Sequence, residues 1–600
     1  MNLLGGYAGK VARVNLIKEQ VKTEDLRWEW ITQYIGGKGL GFKYLYEELK
    51  PKLNPLSPEN KLIFITGPLS GTIAPATGKY AVVTKSPRTN TILDSYFGGT
   101  FGAQLKFSGF DAIIVEGRAK RPVYISINNG KVNIKSAEHL WGRGAFDTVS
   151  TIKEEEGDAK TSVLAIGPAG ENMVKLASIN VDVIWNAGRG GAGAVMGSKN
   201  LKAIAVKGDG KFPIANEEEF RKISKELTEK SVLTETNIWA KTDGTPIIVD
   251  MSNTAGILLT RFFESGVFKD HDKINTDVVK AHLAEVRACY ACPLACKRLV
   301  KIGGKVVKSP EYETLATAGS NCCVGNFEAV TEFNSICGDL GIDTISTANT
   351  IALVMELYES GIVKKNMLDG IEAKFGSEEA LLKLAEKIGK NEGIGKILSG
   401  GTRTVIQKFG LNGEKYAIDV KGLEIPGYEP RGTWGMALAY STADRGACHL
   451  RAWAVSEDAF GKLEPRTFKE KPALVKRLED INSVKWSLIV CDFWIINYEE
   501  MAALLTPVWG KPVKPEELKL AGERIWNLGR LFNIREGFSR KDDKLPPKFF
   551  KQPLKGGPTN GVKISEEEFE KALDEYYALR GWDNNGIPKE ETLTRLGLTK

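Results

Sequence analysis

The chain has 600 residues, 42% apolar and 26% charged, which excludes a fibrous or disordered protein and is too much for one hydrophobic core. Four histidines and eight cysteines exclude a multi-histidine metal enzyme, a multihaem protein and a zinc-finger array. The +7 formal charge (82 basic, 75 acidic) comes without basic clusters interleaved with aromatics, which argues against nucleic acid; it suits an ordinary solvated surface or, less simply, an acidic protein partner.

Any metal or redox chemistry must therefore rest on a few sulfurs, on carboxylates, or on a cofactor that brings its own ligands. The N-terminal residues lack the charged-then-apolar layout of a signal peptide, and the longest apolar run, WSLIVCDFWII at 486–496, is short and carries Asp492. The expectation is a cytoplasmic protein without a membrane span, in which thiols stay reduced and clustered cysteines bind metal.

Along the chain, β-branched runs come first: KVARVNL, KLIFITGPL, YAVVTKSP, DAIIVEGR, PVYISINNGKVNIK, SVLAIGPAG and LKAIAVKG. They predict strands, with a hairpin turn at Asn128-Asn129-Gly130. After residue 210 the apolar spacing becomes helical, in EEEFRKISKELTEK, DVVKAHLAEVRA, EAVTEFNSICGDL, STANTIALVMELYES, EEALLKLAEKIGK, EELKLAGERIWNLGRLFN and EEEFEKALDEYYALRGW. Asn216 and Ser565, each followed by three glutamates, read as helix starts. A Gly/Pro-rich stretch at 410–432 suggests a second boundary. The expected architecture is α+β: a β-rich domain over 1–210, then mainly helical domains over 211–418 and 419–600. No internal repeat or low-complexity tract is present.

The most specific local signal is Cys289-Tyr-Ala-Cys292-Pro-Leu-Ala-Cys296, placed just after a predicted helix. Three thiols at C-x2-C-x3-C spacing suit an iron–sulfur cluster, with structural zinc as the competing reading and His282 as one ligand. A fourth thiol would come from Cys322, Cys323, Cys337, Cys448 or Cys491. Gly188-Arg-Gly190-Gly-Ala-Gly193 matches G-x-G-x-x-G, but the next strand begins at Leu201, which leaves no room for a Rossmann helix. Its backbone N–H groups and Arg189 could still grip an anion. Glu311 and Glu313 flank Tyr312, Glu332 lies in a helical segment, and His449 sits in a Gly-containing stretch; none stands out alone.

Ten phrases occur in order along the chain: LSPENKLIFITGPLSGT, TKSPRTN, GPAGENMVKLASI, AGRGGAGAVMGSKNLKAIAV, CYACPLAC, SPEYET, LGIDTIS, YEPRGTWGMALAY, DRGACHL and YYALRGWDNNGIPKEET. Over essentially its whole length the chain resembles the tungsten-containing aldehyde:ferredoxin oxidoreductases. The resemblance implies tungsten, or in some relatives molybdenum, held by two pterin dithiolenes, with Mg2+ bridging their phosphates and one [4Fe–4S] cluster alongside. It implies oxidation of an aldehyde to a carboxylic acid, with electrons passed to ferredoxin or a ferredoxin-like subunit, and is compatible with a homo-oligomer. The β domain would form the base beneath the bis-pterin cofactor.

By that resemblance the cluster ligands are Cys289, Cys292, Cys296 and Cys491. Cofactor contacts fall to Lys79, Tyr96 and Gly98, to Ala187, Gly188 and Arg189, and to Arg445, Gly446 and Arg451. Glu332 and His449 match the pair assigned to water or carbonyl activation, with Glu313 in the same pocket. The family's Asp-x-x-Gly-Leu-Asp/Cys pattern keeps Ile342 and Asp343 in one copy, where Gly338 replaces the first acid unless Asp339 compensates. In the other it keeps Val490 and Cys491, with Trp486 in place of the acid. Tyr96 stands where asparagine is usual. Two other readings stay open: a relative serving as catalytic subunit of a larger complex that reduces an activated acid or aromatic ring, and an electron-transfer protein that has lost the pterin.

Overall fold

The computed structural model describes residues 4–235 and 237–599. Its N-terminal third contains two six-stranded sheets. The first has β1 (Lys10–Asn15), β2 (Gln20–Asp25), β3 (Leu62–Ile65), β4 (Tyr80–Lys85), β5 (Ile92–Phe97) and β6 (Ala112–Glu116), ordered β2-β1-β6-β3-β4-β5. The second has β7 (Val123–Asn128), β8 (Lys131–Ser136), β9 (Ser162–Ala165), β10 (Ile179–Val181), β11 (Trp185–Ala187) and β12 (Leu201–Lys207), ordered β11-β10-β9-β12-β7-β8. The β1/β6 and β12/β7 pairs are parallel and the remaining neighbours antiparallel. The expected hairpin turn forms, with Asn129 at φ 47° and Gly130 at φ 84°.

Alternation along the strands sets the layers. Val14, Leu62, Phe64 and Val82 share one core with Ile125, Leu164 and Ile204, so the sheets pack face to face. The opposite face of the first sheet, with Ile63, Ile65 and Val83, packs on helix Gly37–Glu48 and on Val484, Leu488 and Ile525 of the long helices Lys471–Leu488 and Pro515–Glu536. The outer face of the second sheet meets Val149 and Ile152 of helix Ala145–Glu156. The remainder of the chain is mainly helical around a separate, larger core. The fold is α+β, with a β-rich N-terminal part and a helical remainder. Asn216 and Ser565 cap their helices as expected, accepting from the N–H groups of Glu219 and Glu568. Among the described residues no helix is long and apolar enough to cross a membrane.

One segment differs from expectation. DVVKAHLAEVRA is not one helix: a short helix, Thr276–Ala281, gives way to β13 (Leu283–Arg287), which pairs antiparallel with β14 (Lys297–Ile302). Pairing with a neighbouring strand overrides the helical spacing, and β15 (Lys305–Lys308) completes a three-stranded ribbon. In the Gly/Pro-rich stretch, residues 418–432 are buried throughout.

The C-terminal helix Glu566–Arg580 is fastened by a fully buried Arg580, which pairs with Glu479 at 2.6 Å and with Asp480 of helix Lys471–Leu488. Arg580→Met removes the cationic partner of buried Glu479 and leaves Asp480 with Lys476 alone, at 2.8 Å, and should cost about 3–5 kcal/mol. A fall in Tm is the expected reading; an unchanged melting curve would remove this clamp from the account.

Candidate active site and thiol cavity

Cys289, Cys292, Cys296 and Cys491 line one cavity of about 230 Å³. The three-cysteine loop leaves β13 and turns through Ala291 and Ala295 at φ 50° and 42°, anchored by the Tyr290 N–H donating to Gly99 O at 3.0 Å. Helix Lys471–Leu488 ends at Ile489 in the left-handed conformation, and the Cys491 N–H then donates to Ala76 O at 2.8 Å. Neither His282 nor the other four cysteines line the cavity. Four thiols lining one cavity are a donor set that suits an iron–sulfur cluster.

Burial pushes up the thiols of Cys289 and Cys296, and that of Cys292 to about 12. Ionised sulfur here needs cations, and Lys79, Lys297 and Lys308 line the same space. A Cβ at Gly98 would lie 2.5 Å from Cys289 Sγ and 2.5 Å from Trp185 Cδ1, so only glycine leaves the thiol in place.

Beside this cavity the predicted cofactor residues meet in a buried ionic knot. Lys38 Nζ lies 2.5 Å from Asp444 Oδ2 and 3.3 Å from Asp94 Oδ2. Arg451 Nε donates to Asp444 Oδ1 at 2.6 Å and a second nitrogen pairs with Asp94, which also accepts from the Tyr96 hydroxyl. Arg445 Nη1 donates to Asp94 O at 2.6 Å and Nη2 to Cys448 Sγ at 3.1 Å. Gly446, at φ 100°, lets this loop pass Val420 O. Arg189 donates to Ala447 O and Glu424 O at 2.6 and 2.5 Å, and to Asp343 at 3.4 Å. Asp343 also caps helix Thr344–Glu359, next to buried Ile342. A Cβ on Gly188, between Ala187 and Arg189, would meet open space. Arg445 Nε and Arg451 Nη1 are buried without a hydrogen-bond partner. Unmet donors of this kind cost about 1–3 kcal/mol each. Surplus cationic donors beside an open glycine loop suit a phosphate-bearing group.

A second cavity, of about 410 Å³, has Glu313 and His449 among its lining residues. Glu313 Oε2 accepts from the Gly427 N–H at 2.7 Å, whereas Oε1 stands 3.6 Å from His449 Nδ1 and both atoms lack partners. Burial raises the Glu313 carboxyl to about 7. His449 is held well below its ordinary value, first by burial and then by Arg189 and Arg445, so its imidazole is neutral. Ile248, Tyr428, Leu450, Trp453, Ile481 and Phe493 make the walls apolar. Glu332 does not belong here: it is exposed on helix Phe327–Leu340 and lines neither cavity. The carboxylate paired with His449 is Glu313, and the expectation for Glu332 is corrected.

Sequence reasoning passed over Glu311, Phe493 and the site role of Asp492. Lys79, Glu311 and Phe493 line both cavities. Lys79 Nζ pairs with Asp492 Oδ2 at 3.0 Å; burial opposes both charges, but Lys79 and Lys485 hold Asp492 at about 2. Burial likewise opposes the Glu311 charge, but Lys297 and Lys308 hold its carboxyl at about 2. The adjacency of Asp492 to Cys491 and of Glu311 to Tyr312-Glu313 was the available signal.

The two motif departures have physical reasons. A Cβ at Gly338 would lie 2.9 Å from Phe146, which fills that place. Asp339 does not compensate, because its Oδ1 accepts from the Phe146 N–H at 3.0 Å. Trp486 is fully buried, with the Arg451 guanidinium 4.7 Å from its ring centroid, Tyr96 at 5.2 Å and its Nε1–H donating to Asp492 Oδ1 at 2.7 Å.

Comparison with known proteins gives the class. The family models for the aldehyde ferredoxin oxidoreductase N-terminal domain and for domains 2 and 3 match residues 11–208 and 218–598. A tungsten-containing aldehyde ferredoxin oxidoreductase of Pyrococcus horikoshii is 39% identical over 99% of both chains. The aliphatic sulfonate oxidoreductase WOR-like subunit of Pyrococcus furiosus is 31% identical over 99% of this chain and 97% of that one. The solved active-site complex BamBC of benzoyl coenzyme A reductase, in complex with 1,5-dienoyl-CoA, matches with a TM-score of 0.85 and 27% identity, over 99% of this chain and 97% of that one. The chain belongs to the aldehyde ferredoxin oxidoreductase family and is an oxidoreductase.

Gly98→Ala should displace the Cys289 thiol and lower iron per chain in anaerobically purified protein, measured by elemental analysis. Iron equal to the unsubstituted protein would show that the thiol cavity does not hold the cluster.

Proposed function

We propose that the protein oxidises aldehydes to carboxylic acids and passes the electrons singly to ferredoxin. The observation that carries this is the pairing of Glu313 with neutral His449, both with unmet hydrogen-bonding atoms, in an apolar cavity that shares Lys79 with the four-thiol cavity. Relatives at 39% identity over the whole chain support the aldehyde reading. Arg189, Arg445, Arg451 and the open loop at Gly188 would hold the phosphates of a tungsten or molybdenum bis-pterin, and phosphate oxygens would supply ligands for its Mg2+; Cys289, Cys292, Cys296 and Cys491 would hold a [4Fe–4S] cluster. When bound, these groups supply two-electron acceptance and single-electron exit.

The chain's own residues do the rest. Oxidation consumes one water and releases two protons and two electrons. Glu313, as carboxylate, takes a proton from water through the unpaired Oε1, while the Gly427 N–H fixes Oε2. Neutral His449 hydrogen-bonds the aldehyde oxygen, where negative charge grows. The cavity's apolar walls hold the substrate's carbon chain and exclude bulk water.

Because burial raises Glu313, its base form accumulates only as pH rises through about 7. Aldehyde-dependent viologen reduction should therefore climb across that range. Glu313→Gln should cut kcat at least ~100-fold with metal content unchanged, whereas Glu332→Gln retains turnover. The reverse pattern would return the catalytic role to Glu332.

A further inference from the structure

The ribbon that carries the cluster cysteines has a face the redox chemistry does not use. Between residues 283 and 308 lie six cations, Arg287, Lys297, Arg298, Lys301, Lys305 and Lys308, against one carboxylate, Glu285. Strand register sorts them: Glu285 faces Leu299, Arg287 faces Lys297, Lys301 faces Val306 and Leu299 faces Lys308. Cross-strand partners share a face and alternate residues return to it. Arg287, Lys297, Lys301, Lys308, Leu299, Val306 and Glu285 therefore lie on one side of the sheet. At one end of that side, Lys297 and Lys308 line the thiol cavity. At the other, Lys301 is exposed and Val306 is 54% exposed.

The same face thus runs from the cluster cavity out to solvent. Lys305 is exposed at the turn beside Val306 but pairs with Ile302, and Leu283, 42% exposed on the free edge strand, pairs with Val300 across a bulge, so both lie on the reverse side of the ribbon. Arg287 pairs with Glu285 at 2.9 Å and Lys297 with Glu311; among the described residues Lys301 and Lys305 have no ion pair. Unpaired Lys301 beside exposed Val306, on a face continuous with a redox cavity and with Lys305 at the adjoining turn, is the complement of an acidic protein that must approach closely and leave again.

Resting on the proposed function, we propose that the outer face of β13–β15, centred on Val306 and Lys301, docks a small acidic ferredoxin for electron transfer. The three-cysteine loop and the docking strands are one segment of chain.

The test uses the full-length holoenzyme with Lys301→Glu and Lys305→Glu together, and Lys301→Gln with Lys305→Gln as a milder pair. Aldehyde-dependent reduction of an acidic ferredoxin at low salt should fall about tenfold or more in kcat/KM in the Glu pair, less in the Gln pair. Benzyl viologen reduction should be unchanged in both. The dependence of ferredoxin reduction on salt should flatten in parallel. Binding of the same ferredoxin, measured by calorimetry, should weaken in the same order and reads the surface even if aldehyde is not the substrate. Ferredoxin binding and reduction that match the unsubstituted enzyme would overturn the docking face; absence of aldehyde-dependent viologen reduction in the unsubstituted enzyme would instead overturn the proposed activity.

Discussion

The buried knot of Lys38, Asp94, Asp444 and Arg451 ties the whole site together. Lys38 comes from helix Gly37–Glu48, Asp94 from β5, and Asp444 and Arg451 from the loop that also carries His449. No one of these charges would survive burial alone. Burial and Arg451 both work to strip the proton from Lys38, while Asp444, held down by its two cations, remains ionised. The knot fixes the helical part of the chain to the β base at the point where the surplus guanidinium donors are presented. Any shift of the loop would move Arg445, Arg451 and His449 together.

From that anchor the site divides by polarity. The thiol cavity is ringed by cations and glycines, because buried sulfur ligands need positive surroundings and room. The neighbouring cavity is mostly apolar, so its two uncommitted polar groups, Glu313 and His449, are conspicuous. Lys79 and Asp492 sit between, with Trp486 bonded to the same aspartate. The Trp486 indole lies between Tyr96 and Arg451 and donates to Asp492, six residues later.

Much of this was legible in the amino-acid order. The strand runs, the β-to-helical change near 210, the caps at Asn216 and Ser565, and the thiol motif all depend on local chemistry. What stayed hidden depends on distant partners. β13 reads as helix until β14 is beside it. Glu332 and Glu313 are equivalent glutamates in sequence, and only burial separates the exposed one from the one whose carboxyl is raised to about 7. Lys38 gave no signal at all, because its meaning comes from Asp94 and Asp444, far away in the chain.

The central claim is that four thiols lining one cavity and the guanidinium groups held at the buried knot serve two different redox groups in one chain. Elemental and pterin analysis of anaerobically purified protein tests it most directly. The account predicts about four iron atoms per chain, together with tungsten or molybdenum and pterin phosphate. Iron without either metal or pterin, or zinc in place of iron, would contradict it.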